Sequence, residues 1–127
     1  MKHAVRIALV LWMACSAAVF ADSWARPGPE EYSSPQGTFK AKRLPPPEHP
    51  FTEAIIQVIR ADASRGDKIV WENRLDYVPH QIIVTEQGQV IGIDKYGNLG
   101  YAHSLVIWSD RGTKLADYAL EDLLTKE

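Results

Sequence analysis

The sequence predicts an all-β domain: an antiparallel meander of about eight strands, arranged as two four-stranded units or a small sandwich, with a short C-terminal helix. Three observations carry this. From Tyr32 onward, short apolar runs are broken by turn residues about every ten positions, the spacing of an all-β chain. A strand–turn–strand unit recurs: Ile82–Ile91 aligns with Val106–Leu115 at an offset of 24 residues, each copy running apolar, then hydroxyl–acid–x–Gly, then apolar again. The connections are short, so sequential strands pair as antiparallel neighbours.

The elements follow in order. Residues 1–21 open with Lys2, His3 and Arg6, continue through the uncharged apolar run Ile7–Phe20, and end on Val19-Phe20-Ala21, with small residues at the −3 and −1 positions of a cut before Asp22. This is the three-part pattern of a secretory signal. The run is shorter than the roughly 20 apolar residues that span a bilayer, so cleavage is expected rather than anchoring. Trp12-Met13-Ala14-Cys15 lacks the aliphatic residue of a lipidated cysteine site. The expected location is periplasmic or secreted, by bacterial export, with membrane contact only in transit.

Cleavage leaves 12 basic residues against 16 acidic ones, a charge of about −4, and removes Cys15 with both methionines. The charge has the wrong sign for a nucleic-acid binder that works by phosphate neutralisation. With no cysteine left, neither a disulfide nor a cysteine zinc site is available, and the core alone must hold the domain.

Residues 22–31, with two prolines and a glycine, are expected as a mobile arm leading into a single β domain over 32–127. Strands are expected near 31–33, 37–43, 54–60, 67–74, 80–85, 89–94, 103–109 and 113–118. The stretch 44–50, with four prolines, is expected as an extended polyproline connector. Ala61–Asp67 is expected to close a hairpin. In the repeated turn a Ser or Thr hydroxyl accepts from backbone ahead of it, and the Gly takes the left-handed conformation. At the C-terminus Asp117 is positioned to cap a helix over 117–124 whose Leu120, Leu123 and Leu124 share one face. So short a helix must dock on the sheet.

Strands with one wet face alternate in polarity. Ile55-Ile56-x-Val58-Ile59, Ile82-Ile83-Val84 and Leu105-Val106-Ile107-Trp108 do not. They call for cover on both faces, and any apolar face left bare marks a partner surface.

Ser34-Pro35-Gln36-Gly37 and its relatives Thr85–Gly88 and Ser109–Gly112 resemble the hairpins of β-propeller blades, nearest to the Ser-Pro-Asp-Gly repeats of periplasmic Tol-system and WD-type propellers. The resemblance covers 32–39 and 80–118 and implies two propeller-blade-like units, sheets that neighbours bury on both faces. A closed propeller needs at least four blades, so a two-blade relic, a self-assembling fragment and a small sandwich all remain open. Trp71–Leu124 also resembles the C-terminal part of small exported bacterial proteins of uncharacterised function.

The chemistry is sparse. His49 falls in the proline connector, whereas His80 and His103 each begin a strand of a repeated hairpin. Asp76 lies just before His80, and Asp94 is expected opposite it. A His80/Asp94/His103 cluster would suit a divalent metal or a general base with its orienting acid, against the plainer expectation of rim histidines making local hydrogen bonds. Asp94–Gly100 has oxygens at Asp94 and Asn98 but lacks the remaining ligands of a calcium loop. It is read as a glycine-rich loop that exposes Tyr96, Tyr101 and His103 together. Trp71 and Trp108 are assigned to the core. No Gly-x-Ser-x-Gly elbow, phosphate loop or dinucleotide fingerprint occurs, so no catalytic residue, metal or cofactor is assigned. Lys40-Ala41-Lys42-Arg43 is read as a solvated strand face.

The function expected is a non-catalytic β module that binds another protein or itself, through the apolar sheet face or a rim of His80, Asp94, Tyr96, Tyr101 and His103. The alternatives are a metal-dependent or acid/base enzyme using His80, Asp94 and His103, and an inhibitor of an envelope or host enzyme.

Overall fold

The computed structural model describes residues 25–97 and 101–124. The segment read as a signal (1–21), the start of the arm (22–24) and Asn98, Leu99 and Gly100 of the glycine-rich loop lie outside the described residues. Eight strands and one helix follow in order: β1 (Glu30–Ser33), β2 (Phe39–Leu44), β3 (Ala54–Arg60), β4 (Lys68–Leu75), β5 (Pro79–Val84), β6 (Val90–Lys95), β7 (Leu105–Trp108), β8 (Lys114–Tyr118) and α1 (Leu120–Leu123). They form two four-stranded antiparallel sheets, β1-β2-β3-β4 and β5-β6-β7-β8, each a simple meander. The expected eight strands are present, with ends shifted by a residue or two. Among the described residues no helix is long and apolar enough to cross a membrane.

The repeated turn folds the same way three times. The Gly37, Gly88 and Gly112 amides donate to the carbonyls of Ser34 (2.9 Å), Thr85 (3.0 Å) and Ser109 (3.0 Å). The same three residues turn their hydroxyls forward: Ser34 Oγ accepts from Phe39 N (3.0 Å), Thr85 Oγ1 from Gln89 N (3.1 Å) and Ser109 Oγ from Thr113 N (3.1 Å). All three glycines hold positive φ, +75°, +82° and +79°, the left-handed region where a Cβ is penalised. Each sheet also carries a bulge between its third and fourth strands, at Val58/Ile59 and at Ile107/Trp108, which deepens the local twist.

The inner faces meet in one core. Ala41, Ile56, Val58 and Trp71 from the first sheet pack with Tyr77, Ile82, Val84, Val90, Val106 and Trp108 around and within the second. Both tryptophans are core, as expected. At one end the hairpin tips of the second sheet rest on aromatic rings of the first. Gly112 lies so close to the Trp71 indole that an added Cβ would sit 2.8 Å from it, and Gly88 faces Phe39 at 3.0 Å. Asn73 Nδ2 donates to the Gly112 carbonyl at 2.7 Å.

At the other end the join is polar. Arg43, with a side chain only 2% exposed, donates from Nη1 to the carbonyls of Pro79 (2.8 Å) and His80 (3.0 Å). Its Nη2 lies 3.2 Å from Glu30, whose carboxylate also accepts from the Tyr32 hydroxyl at 2.5 Å. This corrects the expectation of a solvated Lys40–Arg43 face. Lys40 and Lys42 point outward, whereas Ala41 and Arg43, on the opposite parity, are buried.

Two further expectations are corrected. The proline stretch is no extended rod: β2 and β3 pair through Leu44↔Ile55, so the chain must reverse between them. It does so through turns in which His49 N donates to Pro46 O and Thr52 N and Glu53 N to His49 O. The helix spans only Leu120–Leu123, is capped at Ala119 rather than Asp117, and buries none of its residues. Asp117 is engaged elsewhere, with His103 and Lys114.

These joins generate two predictions. Arg43→Met keeps the bulk but removes the donor to one buried and one partly buried carbonyl, and should cost about 3 kcal/mol in urea unfolding, while Glu30→Gln at the half-exposed end should cost under about 1 kcal/mol. Gly112→Ala adds a collision with Trp71 to the left-handed penalty and should cost about 3 kcal/mol. Gly37→Ala, at a similar φ but with nothing within 4 Å, should cost about 1 kcal/mol.

Candidate functional site

The feature that stands out is the outer face of β5–β8. Ile82, Val84, Val90, Val106 and Trp108 turn inward and are buried, so alternation sends their neighbours outward. The register lines those neighbours into two cross-strand rows. One is Ile83↔Ile91↔Ile107↔Ala116 and the other is Gln81↔Ile93↔Leu105↔Tyr118. Neither row contains a charge, and Gln81 and the Tyr118 hydroxyl are its only polar side-chain groups. At the margins Ile83 is 49% and Tyr118 41% exposed. Leu115 within β8 and, beyond its end, Leu120, Leu123 and Leu124 are also exposed, the last at 63%.

The outer face of the first sheet is built differently. A polar row, Glu31↔Lys42↔Gln57↔Glu72, crosses all four strands. Lys40 pairs with Glu31 at 3.4 Å, and Gln57 donates to Glu72 at 2.9 Å. The doubly apolar character read from the strands therefore survives as two uncharged rows on the second sheet, while the first carries a polar row across its outer face, beside exposed Ile69 (51%) and Val70 (42%) on β4.

Of the expected rim residues, Tyr96, Tyr101 and His103 each contact different neighbours. Tyr96 lies with its ring 5.8 Å from the Arg43 guanidinium, 5.7 Å from the His80 ring and 6.4 Å from Phe51. Tyr101 is 68% exposed beside α1, and its carbonyl accepts from Leu120 N at 3.3 Å. His103 stacks on Tyr77 at 4.0 Å with the two rings nearly parallel, and its Nδ1 lies 2.9 and 3.0 Å from the Asp117 oxygens. The carboxylate on His103 is thus Asp117, a residue the sequence reading assigned to a helix cap. Asp94 takes a left-handed backbone at φ 59°, as does His103, and its amide donates to Ser104 O at 3.1 Å. Among the described residues, no three His, Cys, Asp or Glu side chains converge as metal ligands would.

His103, Asp117, Tyr77, Asp76, Lys114 and Arg74 line a cleft of about 320 Å³. A histidine oriented by a carboxylate is the geometry of a general base. Its sequence neighbour Ser104 is committed to another bond, with Oγ donating to the Tyr101 carbonyl at 2.9 Å. A second cleft, about 720 Å³, lies at the 61–67 loop. There the Asp62 carboxylate accepts from the Ser64 amide and hydroxyl and from the Arg65 amide, which hold it below the usual carboxylate range. Its oxygens serve the loop itself.

Tyr77 is 4% exposed, and among the described residues its hydroxyl has no hydrogen-bond partner. Burial first, then the charges of Asp117 and Asp76, push its phenol well above the ordinary 10.0. Tyr32 is pushed up to about 12, by burial and then by its bond to Glu30. Both shifts favour the protonated phenol in the folded state. Their contribution is intact below pH 10 and is lost as pH rises through the raised values. Urea midpoints should therefore be level up to about pH 10 and fall above it. Tyr77→Phe should flatten that fall and be neutral or stabilising at pH 7, because it deletes a buried hydroxyl that no bond satisfies. A steep loss already at pH 8, or a destabilised Tyr77→Phe at neutral pH, contradicts this account.

Compared with known proteins, the chain matches no family model, no curated protein and no solved structure, so its site is read from its own geometry.

Proposed function

We propose that this chain is a non-catalytic, protein-binding β module whose binding surface is the outer face of β5–β8. One observation carries the reading: two uncharged rows run across all four strands of one sheet, while a charged and amide row crosses the other. Burying apolar surface is worth about 25 cal/mol per Å². A face made of isoleucine and leucine gains from a partner, whereas the Glu31–Glu72 row would lose water at a cost of several kcal/mol per unpaired charge. The resemblance to blade hairpins agrees, since blades are sheets that neighbours cover on both sides. The basic start and apolar run of residues 1–21 support work outside the cytoplasm, in the periplasm or beyond.

A photo-activated cross-linking residue at Ile107, at the centre of the face, should give a protein adduct in the producing cell. The same group at Lys42, on the outer face of the first sheet, should give none. Equal adducts at both positions, or none at Ile107, would remove this function.

A further inference from the structure

From the residues on this face we infer that its occupant is a second copy of the same chain, related by a two-fold axis that runs along the strands between β6 and β7. The inference rests on the outer face of β5–β8 being the binding surface, and it names the partner. Two features of the molecule select it.

The first is the mismatch between its two outer faces. A head-to-tail arrangement would lay the Ile83–Ala116 row against the Glu31–Glu72 row of the next copy, stripping water from charges that gain nothing in return. Copies therefore meet through the same face on each, an isologous contact that closes after two.

The second is the order of residues within the rows. A two-fold axis along the strands sets β5 over β8 and β6 over β7 of the second copy. Gln81 then faces Tyr118, and Ile83 faces Ala116, a large side chain over a small one. Ile91 faces Ile107, and Ile93 faces Leu105. The polar groups at the two ends of one row, amide and hydroxyl, meet each other twice in the dimer. A two-fold axis across the strands instead sets Gln81 over Ile83 and Tyr118 over Ala116, and leaves each polar group against hydrocarbon. Of these two arrangements the first pairs the polar groups with each other, with the sheets packed in the aligned manner of β-sandwiches.

The face is small. Four strands about 4.8 Å apart and about five residues long project to roughly 300 Å². That is small beside the roughly 800 Å² of accessible surface per partner in a stable complex, even with the leucines beyond the end of β8 added. The dimer is therefore weak and concentration-dependent, with a Kd on the order of 10–100 μM.

The test is sedimentation velocity on the purified protein from roughly 1 μM to 1 mM, which brackets that Kd. The sedimentation coefficient should rise from monomer to dimer over this range. Ile107→Asp should hold the chain monomeric, and so should Ile83→Asp, whose side chain is half exposed already; circular dichroism checks that each stays folded. In a Cys15→Ser background, a mixture of Gln81→Cys and Tyr118→Cys chains should be joined by a short dimaleimide, reaching about 10 Å across the gap between sheets. Neither variant alone should be joined. A monomer at every concentration, a dimer indifferent to both aspartates, or ready joining of Gln81→Cys to itself would overturn the inference. A monomer in solution together with an adduct at Ile107 to a different protein overturns self-pairing and leaves the binding face standing; loss of both takes down the two readings together.

Discussion

The structure depends on how its two sheets are joined, and the decisive contact is a cation placed where charge is costly. Arg43 lies inside the seam between β2 and β5, giving hydrogen bonds to two carbonyls of the opposite sheet. A guanidinium suits this position because it is planar, offers several donors in fixed directions and gives up its hydration more readily than an ammonium. Glu30 balances the charge from the solvent side, so the pair is only partly removed from water and its cost stays moderate. At the far end turn glycines rest on Trp71 and Phe39, and Asn73 Nδ2 adds a hydrogen bond to the Gly112 carbonyl. One end is joined through a buried cation, and the other through close ring contact with a neutral hydrogen bond beside it.

That join determines which faces stay bare. Once the inner faces are closed, every strand of the second sheet still carries apolar residues of the opposite parity, and among the described residues the one helix is the only element beyond the two sheets. The helix is too short to help: four residues, none buried, offer no stripe wide enough to cover a sheet. The first sheet differs because its outer positions on β1, β2 and β4 include Glu31, Lys40, Lys42, Glu72 and Arg74, alongside exposed Ile69 and Val70. The two outer faces thus differ in charge, set by residues one step along the strand from those that make the core.

Much of this was legible in the sequence, and what was hidden has physical reasons. The three hydroxyl–x–x–Gly turns were legible because each needs a left-handed residue and a local acceptor, demands that few residue types meet. The strands between them followed. Arg43 was hidden because a lone arginine among lysines reads as surface. The clue was parity, since Ala41 and Arg43 share a face opposite Lys40 and Lys42, and a small apolar residue on that face marks the inside. The reversal in the proline stretch was hidden because composition reports which bonds prolines cannot make and is silent on where the flanking strands must meet. Asp117 was misassigned because a carboxylate one residue before Tyr118 looks like a cap from the chain alone. Its partner His103 lies 14 residues away, across a strand pair whose register had to be known first.

The same reasoning bears on the two residues that break local rules. Asp94 and His103 hold left-handed backbones without being glycine, each at a cost of about 1 kcal/mol. They flank the connection from β6 to β7, and each is held by a contact beyond its own turn. Asp94 donates its amide to Ser104 O, and His103 is clamped between the Tyr77 ring and Asp117. Tyr77 in turn lies under the second sheet, buried by the core it helps to close. Both residues thus sit at the approach to β7, whose Val106 and Trp108 are buried and whose Leu105 and Ile107 turn outward by alternation. Two of the residues that looked most like chemistry in the sequence thus border the strand that carries the centre of the apolar rows, the face proposed here for a partner.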